Sequence, residues 1–130
     1  MTSNLAWAAP FAALLMLAGS AHAEAAAKTA KRSCFPASNV SGFRASDDKT
    51  VYLRVGVKDV YRLDLMSACP NVDWNERIAL FSRGGSSFIC TGLDVDVISS
   101  TPIGRQRCPV QTLTKLTPQE VAALPKKSLP

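Results

Sequence analysis

Four cysteines and one pair of closely spaced aspartates are the residues of this chain best suited to do chemistry. Cys34, Cys69, Cys90 and Cys108 make an even number of thiols. In an oxidising compartment that pattern reads as two structural disulfides. Spacing alone leaves all three pairings open; the expectation adopted is Cys69 with Cys90, closing neighbouring strand ends, and Cys34 with Cys108, tying the start of the domain to its last strand. A thiol redox centre would want two cysteines close in sequence at a helix start. A zinc ribbon would want C-x-x-C pairs. Neither occurs, so no metal and no cofactor are expected.

Asp94 and Asp96 are two residues apart, which in a strand puts both carboxylates on one face about 7 Å from each other. That geometry suits a hydrolytic carboxylate pair or a hard cation. A solvent-facing polar stripe has the same pattern and is the simpler reading. The single histidine, His22, falls within the segment expected to be removed on export. The mature chain then lacks the commonest general base and metal ligand. Gly84-Gly85-Ser86-Ser87 lacks the Lys and helix of a phosphate loop and reads as a turn. Tyr52, Tyr61, Trp74, Phe81 and Phe88 are explained mostly by core packing and edge covering. Trp74 is the exception, because it stands in a polar segment beside Arg77. No catalytic residue is assigned, and the candidate ligand-binding set is Trp74, Arg77, Asp94 and Asp96.

The compartment follows from the N-terminus. Leu5 to Ala18 is an apolar run, and Ala21-His22-Ala23 fits the small-x-small pattern of a secretory signal, with cleavage expected after Ala23. The run is shorter than the roughly 20 residues a permanent span needs, so no stable membrane span is expected after cleavage. Residues 1–23 are therefore read as a signal peptide, and the protein as periplasmic or secreted. Residues 24–33, rich in Ala and Lys, read as a flexible leader. Residues 34–125 form the β-domain, and 126–130 a basic tail. The formal net charge of +5 favours anionic surroundings. Nucleic acid is not expected, since it calls for clustered Lys and Arg with aromatics between them.

The elements that would position these residues are mostly strands. Thr50–Val55 and Val60–Leu65 alternate apolar and polar residues about a short polar turn, which makes a β-hairpin. Short strands are expected near Val40–Phe43, Ile78–Phe81, Phe88–Cys90, Leu93–Val97 and Arg107–Leu116. Asn71–Arg77 has room for one or two helical turns, and Ser99–Gln106, with Thr101-Pro102 and Gly104, reads as a loop. Thr117-Pro118-Gln119-Glu120 is a capping box that starts a short C-terminal helix, stopped by Pro125. The fold class is mainly β: a small antiparallel barrel or twisted sheet of about six strands, with a short helical insert and a short C-terminal helix. A helix between third and fourth strands gives an OB-like element order.

From Cys34 onward the chain resembles an uncharacterised family of small exported proteobacterial proteins known only as a domain of unknown function. The residues that carry the likeness are Cys34, the hairpin TVYLRVGVKDVYRLDL, Cys69-Pro70, IALFSRGGSSFIC ending at Cys90, and RCPVQTLTKLTPQEVAAL with Cys108. The resemblance implies no activity, cofactor or catalytic residue. Taken with the residues, it points to a non-catalytic binding or structural module of the cell envelope, whose partner is an envelope protein or an anionic envelope polymer. The alternative is a small envelope hydrolase or thiol oxidoreductase using Asp94 and Asp96 or an exposed cysteine.

Overall fold

Alternating side chains over 50–65 can bury their apolar half by pairing as an antiparallel hairpin against a core. The computed structural model, which describes residues 32–130, has that hairpin at the centre of a mainly β fold. In chain order the strands are β1 (Phe35–Pro36), β2 (Val40–Ala45), β3 (Thr50–Val55), β4 (Asp59–Leu65), β5 (Ala79–Ser82), β6 (Phe88–Ile89), β7 (Val95–Thr101) and β8 (Gly104–Lys115). A short α-helix, α1 (Pro118–Ala122), follows. Six strands form one antiparallel sheet in the order β2-β3-β4-β8-β7-β5, while β1 and β6 pair separately. The signal segment read at 1–23, and most of the leader read at 24–33, lie outside the described residues.

The sheet curls because β8 serves two neighbours. Its first half, from Gly104 to Pro109, pairs with β7, and its second half, from Val110 to Lys115, pairs with β4. The register shifts between Asp64 and Leu65, and a bulge of this kind bends and twists a strand. The resulting half-barrel encloses Val51, Leu53, Leu63, Val95, Val97 and Val110, joined by Phe35 and Ile89 from the small sheet. On the outer face, Tyr52 and Val60 are also buried, although they point away from this core. The chain after β8 runs back beside β4 and β2. Leu116 N–H donates to the Val60 carbonyl, α1 starts from the expected Thr117–Glu120 capping box, and a 3-10 turn at Lys126–Ser128 packs beside β2. The segment read as a basic tail, 126–130, is thus part of the packed domain, with Ser128 buried.

The disulfide pairing differs from the expected one. Cys34 bonds Cys90, and Cys69 bonds Cys108. The cause lies in the small sheet: Phe35 pairs with Ile89, which sets Cys34 and Cys90 side by side with Cα atoms 4.1 Å apart. Cys108 sits opposite Val97 and faces the core, where the loop after β4 delivers Cys69.

Three local readings are also corrected. Asn71–Arg77 does not form a helical insert. Asn71 adopts a left-handed conformation (φ 61°), and Trp74 and Asn75 close turns onto its carbonyl. A single turn cannot overcome the cost of helix nucleation without more to propagate it. Ser99–Gln106 is not a loop, since β7 runs to Thr101 and β8 starts at Gly104 across a two-residue turn at Pro102-Ile103. Gly104 holds φ 127°, which only glycine adopts readily. Finally, Asp94 lies outside β7, in a 3-10 turn at Gly92–Asp94, so it does not share a strand face with Asp96.

Candidate functional site

A curled sheet that does not close leaves two edges facing each other. Among the described residues they are β2, which pairs only with β3, and β5, which pairs only with β7. Between them runs an open groove of about 610 Å³. Its apolar lining comes from Val40, Phe43, Leu53, Ile78 and Leu80, with Glu76 and Arg77 on one wall. Edge strands carry unpaired backbone N–H and C=O groups, which bind extended segments by strand addition. β5 is four residues long and β2 carries an irregularity between Val40 and Gly42, both of which blunt an edge against indiscriminate pairing. The groove can therefore take a short segment whose alternate side chains enter the apolar lining.

The wall that carries Glu76 and Arg77 is held firmly. Val72 is fully buried in the core. Asn75 Nδ2 donates to Ser99 Oγ at 2.7 Å and to the Ser100 carbonyl at 3.1 Å. Ser99 Oγ in turn donates to the Pro70 carbonyl at 2.7 Å. This network explains why Ser99 is a buried hydroxyl on β7. Of the sequence-selected residues, Arg77 lines the groove, while Trp74, on the same segment, stands outside it with 83% of its surface exposed.

The two aspartates lie elsewhere and apart from each other in role. Asp94 Oδ2 accepts the amides of Cys90 at 3.0 Å and Thr91 at 2.7 Å, and so secures the turn leading into β7. These bonds stabilise the carboxylate and hold its pKa below the ordinary aspartate value. Since the folded pKa is the lower one, the stability it adds is present at neutral pH. That stability is lost as pH falls below about 4 through the folded value. Melting curves should therefore show Asp94→Asn less stable than the parent at pH 7, with the gap narrowing toward pH 2. An equal gap at both pH values would rule out this role.

Asp96 faces outward from β7 yet is 1% exposed. Two arginines cover it. Arg83 donates to Oδ1, and Arg107 Nε lies 3.7 Å from Oδ2, with its guanidinium 4.0 Å over the Phe81 ring. The hydrogen bond to Asp96 raises the pKa of Arg83. Arg83 and Arg107 drew no attention in the sequence, and Phe81 was assigned to packing and edge covering, because register across β5, β7 and β8 is what assembles them. The alternation Arg105-Gln106-Arg107 was the available signal, hidden because the expected loop ended at Gln106 and the expected last strand began at Arg107. Among the described residues no cysteine is free, and no helix is long and apolar enough to cross a membrane.

A model of a family of unknown function, DUF6491, matches residues 1–129. No curated protein and no solved structure matches the chain.

Proposed function

The chain belongs to this family of unknown function, and from that premise we propose that it is an exported, non-catalytic binding module of the cell envelope. Its partner is an envelope protein that lays an extended, apolar segment into the groove between β2 and β5. The groove itself carries this reading, because two unpaired edges over an apolar lining match what strand addition needs. Two disulfides support export, since such bonds persist mainly in oxidising compartments. Asp94 and Asp96 are engaged in a turn and an ion cluster, which supports a structural use of both carboxylates. A thiol oxidoreductase would draw on the exposed Cys34 end of the Cys34–Cys90 bond. Turnover of a dithiol substrate, lost in Cys34→Ala, would favour that second reading.

A photo-crosslinking residue at Phe43, in the protein expressed in its own cells, tests the groove. A discrete adduct is expected from Phe43. None is expected from Val57, which is 90% exposed at the tip of the β3-β4 hairpin. Adding Ile78→Asp should abolish the Phe43 adduct; because Ile78 also packs against the core, the comparison is made at a temperature where the variant remains folded. Equal labelling from Val57, or an adduct indifferent to Ile78→Asp, would refute the proposal.

A further inference from the structure

The outer face of β5, β7 and β8 holds a charge cluster that the groove does not use. Phe81 stands opposite Asp96, Ile98 opposite Arg107 and Ser100 opposite Arg105, so Phe81, Asp96, Arg107 and Arg105 share one face. Arg83 reaches onto the same face through its bond to Asp96. Burying a carboxylate is costly unless it is paired, and one arginine with good geometry would suffice. Here two are present, and the pairing is incomplete: Oδ2 is buried without a hydrogen-bond partner, and Arg107 stands off at 3.7 Å. Arg83 and Arg107 remain 39% and 55% exposed. Each guanidinium offers five N–H donors in a planar fork that fits carboxylate and phosphate oxygens. Asp96 engages only a small part of that capacity. The cluster carries surplus positive charge, and Arg105 extends it along β8 at about 7 Å spacing.

We propose that Arg83 and Arg107 form a binding site for an oxyanion, a carboxylate or phosphate group borne by a component of the envelope. Asp96 is the positioning residue: buried and fixed, it draws both guanidinium groups to one spot and leaves their outward donors free. Phe81 fixes the plane of Arg107 by stacking, which lowers the entropy lost when an anion is clamped. The site stands on a different face from the groove and does not depend on it.

The test follows the arginine Nε–Hε signals of the mature protein by NMR during titration with inorganic phosphate, with galacturonate, and with vesicles containing phosphatidylglycerol. Saturable shifts of Arg83 and Arg107 with either soluble anion support the site and a soluble or polymer-borne source. Saturable shifts with vesicles alone support the site and a lipid headgroup source. Arg83→Gln and Arg107→Gln should each weaken binding about tenfold, as expected for loss of charge-assisted hydrogen bonds. Arg54→Gln, on the exposed outer face of β3, should leave it unchanged. Arg107→Lys keeps the charge that Asp96 needs, and so guards against misfolding. It should still weaken binding, because the ammonium lacks the fork. No saturable shift with any probe, or equal weakening in Arg54→Gln, would overturn the proposal.

Discussion

Removing the Cys69–Cys108 bond, as Cys69→Ala with Cys108→Ala, is expected to lower the unfolding free energy by about 4 kcal/mol. That figure follows from closing a loop of 39 residues in the unfolded chain. Set against a total of about 5–15 kcal/mol for a domain of this size, the loss is large. Both sulfurs are buried in the core, so reductant reaches them only when the domain opens. The Cys34–Cys90 bond closes a longer loop of 56 residues and should contribute a similar amount, yet its Cys34 end is exposed. Graded reduction should therefore open Cys34–Cys90 first and leave a folded one-disulfide species. Removing both bonds should leave little or no folded protein at 37 °C. Urea unfolding of the protein measures these differences. A loss below about 1 kcal/mol for the Cys69–Cys108 pair would show that the bond staples nothing.

Gly92→Ala is expected to cost about 1–3 kcal/mol, the usual penalty for overpacking a site that cannot relax. A Cβ at this position would lie 2.8 Å from the carbonyl carbon and oxygen of Gln111 and from the Thr112 amide nitrogen. These atoms are backbone, in the segment of β8 where the register against β4 shifts. A flexible side chain could step aside, but the strand cannot do so without disturbing its ladder. The cost is one of space alone, because Gly92 is not among the positions of positive φ. At about 4–8 °C per kcal/mol for a domain near a hundred residues, the melting temperature should fall by at least several degrees. Gly42→Ala is the matched control: its Cβ would meet nothing closer than the Pro130 carbonyl carbon at 3.9 Å. Similar melting temperatures for the two variants would refute the close approach at Gly92.

What the sequence made legible was what local pattern encodes. The β3-β4 hairpin follows from alternation over 50–65, and the start of α1 follows from Thr117, Pro118 and Glu120 acting together. What stayed hidden depends on contacts between distant segments. The disulfide pairing is set by β1 and β6, each two residues long, and no periodicity can announce so short a pair. Asn71–Arg77 has helix-compatible composition, but Asn75 spends its side chain on β7 and Asn71 turns left-handed. Asp96 does face outward, as alternation requires, yet arginines from β8 and from beyond β5 bury it. The groove could not be read from either edge alone, since β2 and β5 are far apart in the chain and meet only through the curl of the sheet.

Two covalent bridges, joining the small sheet at Cys34–Cys90 and the core at Cys69–Cys108, fasten the half-barrel, which we propose works outside the cytoplasm. Non-reducing peptide mapping of the protein isolated from the envelope fraction of its own cells examines both halves of that statement at once. Expected are a chain beginning at Glu24, no free thiol, and two linked peptide pairs, Cys34 with Cys90 and Cys69 with Cys108. An intact N-terminus with four free thiols, or either of the other two pairings, would contradict it.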